Sequence, residues 1–440
     1  MKKLMHLMGF VLNSPMNHTI GSWAHPRNNV NYHYAQPEVW QHIARTLERG
    51  RFDGVFFADQ LAAYGNFRGN TDEALRHALQ FPVHDPLLLI PMMAAVTDCL
   101  GFASTLSVTY YPPYMAVRKL STLDHLTKGR IGWNIVTSLH TGEARNMGLK
   151  EMIPHDLRYE RADEYMEVCY KLWDSWEPDA VVMDRDGDIF ADPAKVHPIN
   201  HEGKWFTCPG FSCVIPSPQG RPVLFQAGAS GAGRDFCAKH AEAAFIIQYT
   251  PRAMKLVAAD LKERTRKFGR KPEDLKITCG IQVIVGGTEE EARAKQQVIN
   301  DRVPYEAGLA LLSGHTNYDL SKFDPDKPVD EISGIQGAQG LFDALVKMHN
   351  VRLTLREIGK IYGGSVAMPQ IVGTPEQVAD QMEYIMKEAD ADGFNITPTY
   401  TPGSFDEFVD LVVPILQKRG VHRKEYTTKT LRESVLQTEL

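Results

Sequence analysis

Eight short runs rich in β-branched and aromatic residues, each trailed by a longer run with helical spacing, constrain this 440-residue chain more than any other feature. They fall at 4–12, 54–59, 102–108, 131–138, 222–226, 244–249, 278–285 and 393–398. Strands separated by helices must pair in parallel, and eight such units point to an α/β fold, a (β/α)8 TIM barrel. A doubly wound sheet with a second domain has the same periodicity, because the pattern does not show closure.

The first helix illustrates the spacing. In PEVWQHIARTLERG, Val39, Ile43 and Leu47 recur four residues apart, which places them on one buried face, and Gly50 suits its end. The whole chain, 1–440, reads as one barrel domain with insertions at about 60–100, 177–220 and 300–372. Each is expected at or near a strand's C-terminal end, where a barrel builds its site, as a lid, a substrate wall or an oligomer contact. The polar tail 418–440 is expected to wrap a neighbouring subunit, and a homodimer or homotetramer is expected.

Composition narrows the function classes. Hydrophobic residues make up 43% of the chain, enough for a large core, and the formal charge is −6 with both signs scattered. No basic arm or aromatic–basic interleaving calls for nucleic acid. The six cysteines form no C-x-x-C pair and read as reduced thiols, so a cytoplasmic location is expected. No signal-peptide pattern and no run of the ~20 apolar residues needed to span a bilayer is present, so a soluble protein with no membrane partner is expected. H-P-I-N-H at 197–201 lacks metal-ligand spacing, and no metal site is expected.

Chemistry is concentrated at strand ends. In VLFQAGASGAGRDF (223–236), a strand runs into Gly228, Gly231 and Gly233 and then a helix. The loop fits neither the P-loop nor the dinucleotide glycine pattern. A small-residue turn opening a helix favours an anion, with the Ser230 hydroxyl and Arg234 adding to it; a monophosphate fits better than a dinucleotide. The alternative is a tight packing turn with Ser230 as a cap. Asp59 ends the second strand, Thr105 and Ser107 lie in the third, and Asn134 interrupts the apolar fourth. That amide must find partners, from the backbone or from a planar heterocycle. Tyr159 opens a helix where it can cover a phosphate or ring, whereas Arg158, Arg161, Asp163 and Glu164 read as a solvated or intersubunit ion-pair network. His18 follows the first strand and His315 lies on the long insertion, neither in an apolar helical context.

Longer motifs carry a resemblance. STLDHLTKGRIGWNIVTS (121–138), RYERADEYMEVCYKLWDSW (158–176), FADPAKVHPINHEGKWF (190–206), SPQGRPVLFQAGASGAGRDFCAKHAE (217–242) and DEFVDLVVPILQKRG (406–420) resemble the bacterial-luciferase-like, flavin-dependent monooxygenases. The branch is that of nitrilotriacetate, long-chain alkane and dibenzothiophene sulfone monooxygenases. The resemblance implies a TIM barrel that takes reduced FMN from a separate NAD(P)H:flavin reductase and uses O2 as co-substrate. By position it implies Asp59, Thr105 and Asn134 along the flavin, with Tyr159, Ala229 and Ser230 at its phosphate. It also implies His18 and His315 as paired catalytic histidines on the substrate side: His315 to place the activated oxygen or protonate an oxyanion, His18 to orient the substrate.

For the substrate, TYYPPYMAVRKLSTLDHL, HIARTLERGRFD and LLSGHTNYDLSKF are most similar to the sulfone pattern, in which a carbon–sulfur bond opens to a hydroxy-aryl sulfinate. The alkane pattern's cysteine is replaced by Pro15-Met16, and NSPMNHTIGSW offers no cations for a polycarboxylate. Phe10, Trp23, Phe56 and Phe245 suit a flat apolar substrate and suit barrel core equally. An alkane, another hydrocarbon or an amine is the alternative substrate, and an F420-dependent reductase is the alternative of another class.

Overall fold

A computed structural model describes residues 3–29, 33–329 and 352–437. The eight runs become eight parallel strands: β1 His6–Leu12, β2 Gly54–Ala58, β3 Gly101–Ser107, β4 Ile131–Val136, β5 Val223–Gln226, β6 Ala243–Ile246, β7 Lys276–Val285 and β8 Gly393–Thr397. Each pairs with the next, and β8 pairs with both β7 and β1. The sheet therefore closes, which excludes the doubly wound alternative. A further strand, Gln370–Gly373, adds to the C-terminal half of β7 outside the ring.

The helices are α1 Pro37–Arg49, α2 Pro86–Ala94, α3 Pro113–Leu126, α4 His155–Trp173, α5 Gly231–His240, α6 Pro251–Lys267, α7 Glu289–Asp301, α8 Tyr305–Thr316, α9 Leu355–Ser365 and α10 Pro375–Ala389. Proline starts α1, α2, α3, α6 and α10, where its missing N–H costs nothing and its fixed φ is already helical.

Because side chains alternate across a strand, the barrel sorts its residues into two cores. Leu7, Val11, Val55, Phe57, Trp133 and Ile135 face the helices. Met8, Phe10, Phe56, Ala103, Phe225 and Phe245 point inward and join a cluster that continues into α8 and α9. At the base, the tail packs on its own barrel. Leu431 packs so close to Gly101 and Gly132 that a Cβ on Gly101 would lie 2.4 Å from its Cδ1. Buried Asp53 fastens this plug, accepting from Arg423 at 2.8 Å and Ser434 at 2.7 Å. Burial opposes ionisation of Asp53, but Arg423 and His6 hold it well below the usual carboxylate range.

Insertion 60–100 follows β2, and the part of insertion 300–372 within the described residues supplies α8 and α9. Insertion 177–220 departs from expectation. It leaves the C-terminal end of α4, not of a strand, and forms two small antiparallel hairpins along the outside of that helix. There Glu164 accepts the backbone N–H groups of Trp205 and Phe206, so the insertion braces the barrel wall and is no part of the mouth. Among the described residues no helix is long and apolar enough to cross a membrane.

Candidate active site

The C-terminal strand ends share one rim, and its polar side begins at the turn after β5. Ser230 is the N-cap of α5: its Oγ accepts from the Gly233 N–H at 3.1 Å and lies 3.0 Å from His155 Nε2. Capping and exposure coexist, because Ala229 and Gly231 remain exposed and a Cβ on Gly231 would meet nothing within 4 Å. Tyr159 leans over the same turn, its Oη 2.7 Å from where a Gly233 Cβ would stand. Arg234 does not serve this site, since it pairs with Asp260 at 2.9 Å.

The charged run at the start of α4 also differs from expectation. Asp163 binds His240 and Lys239, and Arg161 donates to the Val108 carbonyl and covers Phe206, so both are tied into their own subunit. Arg158 is 9% exposed, and its Nε is buried with no hydrogen-bond partner among the described residues. Burial lowers its pKa, against the pull of Tyr159, Tyr110 and Glu143. A buried guanidinium left in this state calls for an anion. The α5 N-terminus, Ser230, His155, Tyr159 and Arg158 together fit a phosphate. His155 and Arg158 were missed in the sequence as phosphate-end residues: the first looked like one of 16 histidines, the second like part of a salt-bridge run.

Along the rim, Thr105 Oγ1 donates to the Phe57 carbonyl at 2.8 Å and accepts from Asn134 Nδ2 at 2.8 Å. Asn134 Oδ1 is buried with no partner among the described residues, so half of this amide is satisfied and half is presented. The structure thus gives Asn134 a backbone-anchored side and an open acceptor, which suits a ring N–H. Asp59 lies at the end of β2. Burial, then Asp85 and Glu143, pushes its carboxyl up to about 8, with only the Gln60 N–H opposing. Near neutral pH it is therefore mainly a neutral acid that can donate a hydrogen bond.

The other side of the rim is dry. His18 stacks on Phe10, ring centroids 4.0 Å apart, and its Nδ1 lies 3.1 Å from Thr397 Oγ1 at the end of β8. Burial, then His315, pulls its pKa down to about 3. His315 is driven to about 3 as well, by burial and then His140. His315 does sit in an apolar helix, contrary to expectation: Ala307 to Gly314 of α8 are buried. Its ring is nevertheless surrounded by polar groups. Nδ1 is 2.5 Å from Tyr362 Oη and Nε2 is 2.9 Å from Tyr64 Oη, which in turn donates to Gln80 Oε1 at 2.8 Å.

Helix packing makes this cluster possible. At the crossing of α8 and α9 a Cβ on Gly308 would lie 1.8 Å from the Gly359 carbonyl, so only glycine lets the two backbones touch. That contact brings His315 to Tyr362. Tyr64, Gln80 and Tyr362 left no signal in the sequence, because they come from segments with no motif and meet only in the fold.

The apolar residues divide. Phe10, Phe56 and Phe245 pack edge-to-face on one another at 4.8–5.6 Å. They fill the barrel interior beneath the site, and Phe10 reaches it through His18. Trp23 stands apart at 38% exposure on a short 3-10 turn.

Comparison with known proteins gives the family. Residues 18–393 match the family model of the luciferase-like monooxygenases. The chain is 43% identical to a long-chain alkane monooxygenase of Geobacillus thermodenitrificans (strain NG80-2), covering 99% of this chain and 94% of the relative. It is 41% identical to a dimethyl-sulfide monooxygenase of Hyphomicrobium sulfonivorans (100% and 91%) and 41% identical to a dibenzothiophene-sulfone monooxygenase of Rhodococcus erythropolis (strain XP; 98% and 96%). Solved structures of a long-chain alkane monooxygenase and of the Hyphomicrobium protein superpose with TM-scores of 0.90 and 0.93, each covering 99% of this chain and 96% and 92% of theirs. Family, barrel and rim chemistry converge: this chain belongs to the luciferase-like monooxygenase family and is a flavin-dependent monooxygenase.

Proposed function

We propose that the chain is the oxygenase of a two-component system, taking reduced FMN from a separate NAD(P)H:flavin reductase and using O2 to oxidise an organosulfur compound, an aromatic sulfone foremost. Bound reduced FMN supplies the electrons that activate O2. Ser230, Tyr159, His155, Ala229 and Arg158 hold its phosphate. Asn134 Oδ1 and the neutral Asp59 carboxyl meet its ring, as acceptor and donor. His18 orients the substrate over Phe10, and the dry wall around His315 excludes water.

One observation carries the substrate class. His18 stacks on Phe10 with ring centroids 4.0 Å apart, and Phe10 packs edge-to-face on Phe56 and Phe245, so this wall is aromatic. Such a wall suits a neutral, flat molecule. Two of the three relatives above are named for sulfur compounds, which supports the same reading. Opening a diaryl sulfone to a hydroxy-aryl sulfinate breaks one C–S bond, forms one C–O bond and adds one oxygen and two hydrogens. With the second oxygen atom leaving as water, four electrons are consumed per O2, which a diffusing reduced carrier can deliver. A long-chain alkane is the second reading, favoured by the 43% identity to the alkane enzyme.

The test supplies reduced FMN from an unrelated reductase with NADH and catalase, adds dibenzothiophene sulfone under air, and follows products by mass spectrometry. An enzyme-dependent hydroxy-aryl sulfinate is the expected result. Absence of that product together with hydroxylation of an alkane would replace the sulfone with the second reading.

A further inference from the structure

Resting on the monooxygenase reading above, we infer that Tyr362 is a positioning residue: it fixes His315 as the Nε2–H tautomer and so turns the cluster Tyr362–His315–Tyr64–Gln80 into a one-way chain that ends in a hydrogen-bond donor. The direction follows from where each proton can go. Tyr362 is 4% exposed, and its Oη has His315 Nδ1, at 2.5 Å, as its hydrogen-bond partner among the described residues. A buried phenol must place its proton, so Tyr362 donates and Nδ1 accepts. A neutral imidazole that accepts at Nδ1 carries its proton on Nε2, and that N–H donates to Tyr64 Oη at 2.9 Å. Tyr64 has one proton of its own and donates it to Gln80 Oε1 at 2.8 Å. Gln80 Oε1 also lies 3.4 Å from His315 Nε2 and can share that N–H, so the amide oxygen is occupied by donors and the chain ends in the Gln80 NH2 group.

The backbone supports the assignment. Gln80 is held at φ 53°, a left-handed conformation unfavourable for a residue with a side chain, and its carbonyl is pinned by Gln60 Nε2 at 2.7 Å. Strain of this kind persists where the surroundings over-determine a side chain's position. The consequence is specific: His315, with both ring nitrogens engaged, is not the group that meets substrate. The Gln80 amide is, as a donor suited to an oxygen that carries negative charge, such as a sulfonyl oxygen or a developing oxyanion.

The test reads tautomer and turnover separately. In protein labelled with 15N-histidine, His315 of the wild type should show an unprotonated Nδ1 and a protonated Nε2, assigned by comparison with His315→Gln. In Tyr362→Phe the Nδ1 acceptor loses its donor, so the two tautomers should mix. Product formed per reduced FMN consumed should fall about tenfold, the effect of one lost orienting hydrogen bond, while substrate KM moves less than twofold. Tyr362→Phe and Gln80→Leu combined should cost little more than Gln80→Leu alone, because both cut one chain. A wild type protonated on Nδ1 would overturn the direction. Unchanged coupling in Tyr362→Phe, or additive losses in the double variant, would overturn the role. A Tyr362→Phe that fails to fold leaves the wild-type tautomer and Tyr64→Phe as the deciding measurements, the latter expected to shift the Nε2 resonance. Absence of sulfinate from the wild type counts against the organosulfur reading alone and leaves the tautomer result standing.

Discussion

The two sides of the barrel mouth are built on opposite principles. The side after β5 is open and polar, with an exposed turn, a helix N-terminus and the buried Arg158. The side around β1, β8 and α8 is closed, and its histidines are kept neutral by burial. The first is a place for a fixed negative charge that arrives from water. The second is a place where a reaction must be shielded from water, and where charge is admitted only as it develops. On the function proposed above, one barrel mouth separates cofactor capture from substrate chemistry, and variants on the two sides should fail in different ways.

The largest effect belongs to the closed side. His315→Ala should lower product formation by about 100-fold, the scale of losing a positioned proton-handling cluster, while reduced-FMN affinity stays within twofold of wild type. Single-turnover product analysis beside an anaerobic binding titration checks both halves. An equal loss of affinity would break the division of labour. Arg158→Met should do the converse. It should weaken reduced-FMN binding by about 10- to 100-fold, as expected for a hydrogen bond to a charged group, with normal product yield once the flavin is saturating.

A third effect is on stability. His18 and His315 stay neutral in the folded protein down to about 3, whereas in the unfolded chain they protonate near ~6.5. The unfolded state therefore binds more protons as pH falls from ~6.5 towards ~3, and these two residues contribute stability above ~6.5 that is lost across that window. Denaturant midpoints from pH 7 down to pH 4 should fall, and His18→Phe should flatten part of the slope. A wild-type midpoint that holds steady across the window would place these histidines in a wetter environment than the one described.

The same contrast explains what could be read in the sequence. All eight strands are legible, because each is a contiguous apolar run whose spacing survives any tertiary arrangement. The capped turn after β5 is legible for the same reason: QAGASGAG and its cap are consecutive residues. Asn134 stands out because an amide inside IGWNIVTS has few ways to be satisfied. The closed side is different. Tyr64, Gln80 and Tyr362 acquire meaning only when α8 and α9 cross at Gly308 and Gly359, a contact that no local pattern announces. Arg158 was misjudged because a charge at a helix start is usually solvated, and only the fold shows it buried. The tail was misjudged too. Its polar composition hides Leu431 and Val435, which close the barrel base.

The account stands most directly on the phosphate. Anaerobic titration of the wild type with reduced FMN and with reduced riboflavin compares two ligands that differ only in that group. Tighter binding of FMN by at least about tenfold, on the scale of one charge-assisted hydrogen bond, is the result predicted here. Equal affinities would mean that the turn after β5 and Arg158 hold no phosphate, and would contradict the assignment of this side of the mouth.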